Sequence, residues 1–379
     1  MNEASVHLAP SPRPSPARGE GAELPSLAGG GRRSRRRPRL SPLNQRRLAI
    51  FRAHKRGYWS MWVFLVLFVV CLFAEFIAND RPLVVHFEGH WYFPVLADYS
   101  EDTFGKDFLP TDSDYSDPDV AHAIGAKGWM IWPAVPYSFG TSMKRMAEPA
   151  PSPPSWRNLL GTDDQARDVL ARVIYGFRIS VLFGFTLTAI ASAVGIAAGA
   201  VQGFYGGLVD LFFQRFIEMW SNMPQLYILI ILGSMIAPGF WVLLGFLLAF
   251  SWMHLTGVVR AEFLRGRNLD YVRAARALGV SDIHVMWRHI LPNAMVAALT
   301  FLPFTLSGSV TILASLDFLG FGMPPGSPSL GELVSQGKNN LQAWWLGLTA
   351  FLVLGGVLTL LIFTGEAVRD AFDPRRLPR

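Results

Sequence analysis

The amino-acid sequence predicts an all-α integral membrane protein with six transmembrane helices and with both termini on the cytoplasmic side. First, 51% of the residues are hydrophobic and 16% are charged, whereas soluble domains average about 25% charged residues. Second, six apolar runs approach the roughly 20 residues that a helix needs to cross a bilayer. Third, Lys and Arg accumulate on one side of the resulting topology, as the positive-inside rule requires.

Residues 1–56 are predicted to be a disordered, basic, cytoplasmic tail. They carry 13 Lys or Arg against 3 Glu, and the first 40 are rich in Pro, Ser, Gly and Arg. The arginine-rich run at residues 32–37 suits nucleic acid or anionic lipid. It also suits a tail that flanks a membrane helix, which is our interpretation. A start near Leu40 would remove nothing that the fold needs.

Residues 57–77 form the first predicted transmembrane helix. Tyr58 and Trp59 precede the apolar run that begins at Met61 and are typical interface anchors. A cleaved signal peptide is not expected, because the basic region before the run is too long and no small-residue cleavage site follows.

Residues 78–160 are predicted to be an extracytoplasmic insert. The segment is polar, rich in Pro and acidic, with 11 Asp or Glu against 6 Lys or Arg between residues 78 and 157. Two aromatic segments, 91–93 and 129–132, either contact a partner or substrate or build the insert's own small core. We adopt the second interpretation.

Residues 161–365 are predicted to form the core membrane domain with five further transmembrane helices. The predicted spans are residues 179–201, 211–236, 240–259, 293–313 and 347–364. Ala191, Gly195, Gly199 and Gly203 recur every four positions, which predicts close packing against a neighbouring helix. Residues 366–379 are predicted to be a cytoplasmic tail.

The predicted helix at residues 211–236 has two unusual features. Pro224 is expected to kink it. Arg215 and Glu218 are three residues apart near its start and are expected to pair on one face. Charged groups within a membrane are candidates for function, but a structural pair that snorkels to the interface explains these two equally well.

A basic segment at residues 271–293, in the predicted cytoplasmic loop 260–292, is the strongest candidate for a functional site. Its first part contains strong helix formers, and Gly279 suits a left-handed helix end. Ser281 suits the start of a second helix, and Pro292 suits the start of the next apolar helix. The short helix is either a docking element for a partner or part of an ordinary solvated loop.

This segment resembles a known family. Two alanines, three further residues, a glycine and a later Leu-Pro are similar to the loop signature of permease subunits of ABC importers. The matching residues are Ala274, Ala275, Gly279, Leu291 and Pro292. Arg273 stands where the family usually has Glu, and His289 stands where it often has Ile. The resemblance implies that the helix docks into a cytoplasmic ATPase. It assigns this coupling role to Tyr271, Arg273, Ala274, Ala275, Leu278, Gly279, Leu291 and Pro292.

A second signature, about 110 residues earlier, resembles the dipeptide, oligopeptide and nickel branch of these permeases. The matching residues are Gly161, Thr162, Asp163, Arg167, Asp168, Arg172, Tyr175, Gly176, Arg178 and Ser180. Ala166 replaces a usual Gly, and Thr162 or Asp163 is expected to cap the following helix. The long aromatic insert further resembles the microcin C-type oligopeptide permeases.

The resemblance implies the type I ABC-importer permease fold in a bacterial inner membrane. It implies ATP-driven uptake of peptides or peptide-like compounds by alternating access. The implied partners are a second homologous permease in a heterodimer, two cytoplasmic ABC ATPase subunits or domains, an extracytoplasmic peptide-binding protein and the lipid bilayer. No cofactor is expected on this chain, because ATP and Mg²⁺ would bind the ATPases, and no nucleic-acid partner is expected.

Several kinds of site are excluded by pattern. The sequence has no Walker loop, no His-Glu-x-x-His, no dinucleotide fingerprint and no Gly-x-Ser-x-Gly elbow. Residues 331–339 have five residues between their glycines and lack Ser or Thr after Lys338. His86 and His90 are spaced as a metal pair on a helix, but the β-like residues before them oppose a helix. The single cysteine, Cys71, excludes a disulfide framework and a cysteine metal cluster.

Three other functions stay open as alternatives. An intramembrane protease would use Ser309 with His254, the only histidine deep enough in a span. An ABC exporter subunit shares the topology. A secondary transporter would need charged residues near the midplane of its spans, and these portions are almost free of charge.

Overall fold

The computed structural model describes residues 41–104, 111–143 and 149–373, and this part of the chain is mostly helical. The helices before the core domain are α1 (Pro42–Ala53), α2 (Lys55–Leu72), α3 (Ala74–Ile77) and α4 (Pro118–Lys127). The core helices are α5 (Val169–Tyr205), α6 (Gly207–Ser221), α7 (Gln225–Met235), α8 (Phe240–Ser251), α9 (Met253–Gly266), α10 (Asp270–Ala277), α11 (Asp282–Val285), α12 (Leu291–Phe318), α13 (Leu330–Asn339) and α14 (Trp344–Phe372). The strands are β1 (Val84–Phe87), β2 (His90–Tyr92) and β3 (Gly128–Ile131).

Five helical segments in the described part are long and apolar enough to cross a membrane. They are Lys55–Leu72, Val169–Tyr205, Phe240–Gly266, Asp282–Phe318 and Trp344–Phe372. The bundle therefore has two ends. We call the end that carries α10 and α11 the loop end, and the end that carries the strands and α13 the insert end.

The predicted transmembrane helix at residues 211–236 is broken in two, so only the other five predicted spans correspond to helical segments long enough to cross a membrane. α6 ends at Ser221 and α7 begins at Gln225, directly after Pro224. Proline has a fixed φ and no backbone N–H, so it often stands where a helix begins and seldom inside one. The expected kink is thus a complete break, while the expected pair of Arg215 and Glu218 is confirmed at 2.7 Å.

The predicted disordered tail is wrong from residue 42 onward, because α1 forms there. Residues 1–40 lie outside the described part of the chain. The Arg47 guanidinium lies 4.6 Å from the centroid of the Phe372 ring, and the His54 imidazole lies 3.9 Å from the Asp370 carboxylate. These contacts place α1 against the last turn of α14.

The small residues of α5 bring its backbone close to α9. A Cβ added at Gly199 would lie 2.6 Å from the carbonyl oxygen of Thr256, and Gly195 and Gly203 approach α9 equally closely. Only residues without a side chain fit at such distances. The predicted close packing of this stripe is confirmed.

The insert is not helical throughout, which corrects the all-α prediction. Its strands form an antiparallel sheet in the order β2-β1-β3. One face of the sheet contributes Val85 and Phe87 to a buried core with residues from α4 and the loops. The aromatic segments divide between the two faces: Trp132 packs on this core, whereas Trp91 and Trp129 are exposed. The expected core function therefore holds for only part of these segments.

Candidate functional site

α10 ends in a Schellman motif at the predicted glycine. Gly279 has a φ of +81°. Its N–H donates to the Arg276 carbonyl at 2.9 Å, and the Val280 N–H donates to the Ala275 carbonyl at 3.1 Å. This pattern satisfies the last carbonyls of a helix, and it needs a residue that adopts the left-handed conformation freely. The predicted helix end at Gly279 is confirmed.

Further contacts join α10 to α11 and to the end of α5. Arg276 forms an ion pair with Asp282 at 3.3 Å, and its guanidinium lies 4.3 Å from the centroid of the Phe204 ring. α11 begins after Ser281 as predicted, although the Ser281 side chain makes no capping hydrogen bond. Pro292 stands at the start of α12, also as predicted.

The inner edge of the α10–α11 loop is part of the membrane bundle. Val272, Ala275, Val285 and Ile290 are buried in one apolar cluster with residues of α5, α9 and α12. Close-packed interiors have low compressibility and transmit strain. The inner edge of the loop is therefore packed directly against three helices of the bundle.

The outer edge of the same loop exposes large apolar side chains. Leu278 is 84% exposed, Ile283 is 68% exposed and Trp287 is 69% exposed. Three such exposed side chains within a short basic segment are typical of a surface that another protein covers. We call these three residues the apolar edge.

The residues predicted for coupling do not all lie on the outer edge. Those on the outside are Tyr271, Arg273, Ala274, Leu278, Gly279 and Pro292. Ala275 is buried in the bundle although Ala274 is exposed, because neighbouring positions on a helix point about 100° apart. Leu291 is half-buried. Ala274 and Ala275 therefore do not share one face of α10. Ile283 and Trp287 were not assigned to the candidate site from the sequence. Large apolar residues in a basic loop would have been a sequence signal for them.

The second signature forms a buried charged cluster at the insert end. Asp163 is fully buried. Its carboxylate accepts hydrogen bonds from the backbone N–H of Arg167 at 2.8 Å and from the Nε of Arg167 at 2.7 Å. The guanidinium of Arg172 lies 3.5 Å from Asp163 and 2.8 Å from Glu332 of α13. Loss of one partner of a buried ion pair typically costs about 3–5 kcal/mol, so this cluster joins the start of α5 firmly to α13.

The residue that caps α5 is Asp168, which corrects the expectation of Thr162 or Asp163. One Asp168 oxygen accepts the Ala171 N–H at 2.8 Å, and the other accepts the Asn158 amide at 2.8 Å. Burial raises the pKa of the Asp168 carboxyl, although both hydrogen bonds favour its ionised form.

Two left-handed residues shape the turn before this cap. Gly161 has a φ of +76° and Ala166 has a φ of +59°. A Cβ at Gly161 would lie 2.7 Å from the indole nitrogen of Trp345, which donates to the Thr162 carbonyl at 3.2 Å. Ala166 retains the turn that the usual glycine would form.

A family comparison agrees with the loop signature, which lies within the matched residues. The sequence model of the family described as "Binding-protein-dependent transport system inner membrane component" matches residues 191–378. The chain belongs to this family: it is the membrane component of an ABC transporter, a multi-pass protein of the bacterial inner membrane, and not a catalytic subunit. Membership implies ATPase and binding-protein partners.

Relatives at high identity extend over nearly the whole chain and confirm the resemblance to peptide permeases. The "Peptidoglycan transport system permease protein YejE" of Agrobacterium fabrum is 57% identical in an alignment of 365 residues that covers 90% of this chain and 95% of the relative. The "Inner membrane ABC transporter permease protein YejE" of Escherichia coli is 60% identical over 340 residues, 89% of this chain and 99% of the relative. The "Oligopeptide transport system permease protein OppC" of Lactococcus lactis is 34% identical over 227 residues, 59% of this chain and 77% of the relative.

Proposed function

We propose that this chain is the permease subunit of an importer that brings peptides or peptide-like compounds, of the oligopeptide or microcin C type, into the cytoplasm. The α10–α11 loop is the observation that carries the proposal, because its apolar edge is exposed while its inner edge is packed into the bundle. The names of the relatives, which refer to peptidoglycan and oligopeptide transport, support this class of substrate.

In this proposal the loop end is cytoplasmic and the insert end is extracytoplasmic. Residues 260–289 carry six Arg against three acidic residues, and the positive-inside rule then favours the cytoplasm. α6 and α7 together supply the sixth crossing, so both termini are cytoplasmic. The insert at residues 78–160 then faces the binding protein.

The proposed transport cycle needs three kinds of partner subunit or domain. A second, homologous permease forms the pathway together with this chain as a heterodimer, and a binding protein delivers the peptide. Two ATPase subunits or domains bind ATP and Mg²⁺, and one of them docks on the loop of each permease. ATP closes the ATPase pair and displaces α10, and the inner edge passes the movement to α5, α9 and α12. The docked ATPase must contact the loop differently in the two states, since only differential contacts shift an equilibrium.

Within this proposal the predicted coupling residues act in two ways. Tyr271, Arg273, Ala274, Leu278, Gly279 and Pro292 lie on or beside the surface that meets the ATPase. Ala275 and Leu291 act through packing inside the bundle. Ile283 and Trp287 extend the docking surface beyond the predicted residues.

Copurification tests the docking surface. The chain would be expressed with its partner permease and ATPases, and the amount of ATPase retained after detergent solubilisation would be measured. We expect Leu278→Asp to lose most of the bound ATPase, because the charge would be buried without a partner in the interface. Membrane insertion and recovery of the permease pair should stay at the wild-type level.

Leu341→Asp is the matched control, because Leu341 is also highly exposed but lies at the insert end. This variant should retain the ATPase. Equal retention of ATPase by Leu278→Asp and wild type would refute the proposed docking surface.

A further inference from the structure

We propose that the outer face of the insert's sheet is a docking surface for the soluble binding protein, which would meet it through a basic surface with an apolar centre. This inference rests on the proposed function, because it needs the insert to be extracytoplasmic. It assigns a specific contact surface in a part of the chain that precedes the family match at residue 191.

Three aromatic residues lie in a row across the three strands on this face, and their rings form a compact group. His86 pairs with Trp91 across one side of β1 and with Trp129 across the other. The His86 ring lies 5.0 Å from the Trp91 ring and 5.8 Å from the Trp129 ring, and the two tryptophan rings are 5.5 Å apart. We call these three residues the aromatic row.

The aromatic row is not needed for the core of the insert. Trp91 is 58% exposed and Trp129 is 45% exposed. The buried core lies on the opposite face, where Val85 and Phe87 point. Since alternate residues of a strand face opposite sides, β1 presents one face to the core and leaves the other uncovered.

The structure of this face matches the anatomy of a protein interface. The aromatic row is held in register by the sheet, so few rotamers are lost on binding. At the ends of the strands, Lys127, which directly precedes β3, donates a hydrogen bond at 2.5 Å to Glu88, which directly follows β1. An aromatic centre with a polar rim is the arrangement in which tryptophan acts as a binding hot spot.

Charge favours a basic protein over a bilayer surface as the occupant. Residues 78–157 carry 11 Asp or Glu against 6 Lys or Arg. Anionic lipids attract clusters of Lys and Arg, whereas Lys127, which directly precedes β3, is paired with Glu88. The acidic insert therefore repels an anionic membrane and attracts a soluble partner with a basic face.

Stimulation of ATP hydrolysis tests the inference in the complete transporter. The complex would be reconstituted in nanodiscs and titrated with purified, peptide-loaded binding protein. For Trp91→Ala/Trp129→Ala, we expect the half-maximal concentration of binding protein to rise roughly tenfold or more, in the range of an aromatic hot spot. Basal and maximal hydrolysis should be unchanged, and added salt should weaken the wild-type response.

Trp156→Ala is the matched control, since Trp156 is 98% exposed and lies outside the aromatic row. It should leave the half-maximal concentration unchanged. As a second measurement, Ile131→Cys on the same face should cross-link to the purified binding protein in a Cys71→Ser background.

Three outcomes would overturn the inference. The double variant could respond to the binding protein like wild type. It could lose only its binding to anionic vesicles, which would make the face a membrane contact. It could change only the response to a sugar-bearing peptide, which would make it a substrate contact. If wild type itself shows no stimulation, the importer function fails rather than the docking surface alone.

Discussion

Ala166 holds a backbone conformation that suits glycine. Its φ is +59°, and an L-residue in the left-handed region loses roughly 1–2 kcal/mol relative to the right-handed one. We therefore expect Ala166→Gly to raise the free energy of unfolding by about 1 kcal/mol at most. The greater conformational entropy that glycine loses on folding offsets part of this gain. Thermal unfolding in detergent would show the gain as a higher Tm.

The control for this change is Ala123→Gly in α4. Ala123 has an ordinary helical backbone, so the same substitution should lower the free energy of unfolding by roughly 0.5–1 kcal/mol. A lower Tm for both variants would contradict the strain assigned to Ala166.

Two carboxylates outside the predicted membrane-spanning residues should have opposite effects on the pH dependence of stability. Partial burial and the neighbouring Asp163 raise the pKa of Asp164 above 3.8. The hydrogen bonds from Arg260, at 2.5 and 2.6 Å, lower the pKa of Asp210 below 3.8. The stability from Asp164 is therefore present below pH 3.8 and is lost as pH rises through its folded pKa. The stability that Asp210 contributes is present above pH 3.8 and is lost as pH falls through the folded pKa of Asp210.

Asp164→Asn should therefore stabilise the chain at pH 7, and Asp210→Asn should destabilise it. At a pH below both pKa values, each difference should be nearly abolished. Chemical unfolding at a series of pH values measures both. The same sign for the two variants at pH 7 would be incompatible with these pKa directions.

At the scale of elements, the contact between α5 and α9 depends on the absence of side chains. We expect Gly199→Ala to destabilise the bundle by about 1–3 kcal/mol, since its Cβ would overpack the Thr256 carbonyl. Gly245→Ala in α8 is the control, because a Cβ there meets open space. Unfolding in detergent should show a loss for Gly199→Ala alone, and an equal Tm for the two variants would count against close packing at this site.

Structural features that depend on neighbouring residues were predictable from the sequence, whereas features that depend on distant partners were not. Gly279 ends α10 through hydrogen bonds to the helix it terminates, so its position was evident from the sequence. The cap of α5 was misassigned because Asp163 is engaged by Arg167 and Arg172, and both arginines also contact Glu332, more than 150 residues away.

The orientation of short segments was also hard to predict. Ala275 and Leu278 belong to one short helix, and only the packing of Val272 and Val285 under it shows which of them faces outward. The sheet of the insert escaped prediction because its strands have only three or four residues. The longer apolar helices were identified correctly, apart from the break at Pro224.

At the scale of the whole molecule, the two signatures lie at opposite ends of the same helices. α5 starts in the charged cluster with Glu332 and ends beside Arg276 of α10. In the proposed cycle, a displacement of α10 by an ATPase would reach the helix that also contacts α13 at the insert end. This arrangement gives the proposed alternating-access cycle a continuous packed route through the bundle.

ATP-driven uptake in proteoliposomes is the measurement that tests this account most directly. The permease pair, its ATPases and the peptide-loaded binding protein would be reconstituted, and accumulated peptide would be measured with ATP, without ATP and with an uncoupler. We expect uptake to require ATP, to resist the uncoupler and to be abolished in Gly279→Pro, because proline cannot adopt a φ of +81°. Uptake that persists without ATP and stops with the uncoupler, or normal uptake by Gly279→Pro, would contradict the account.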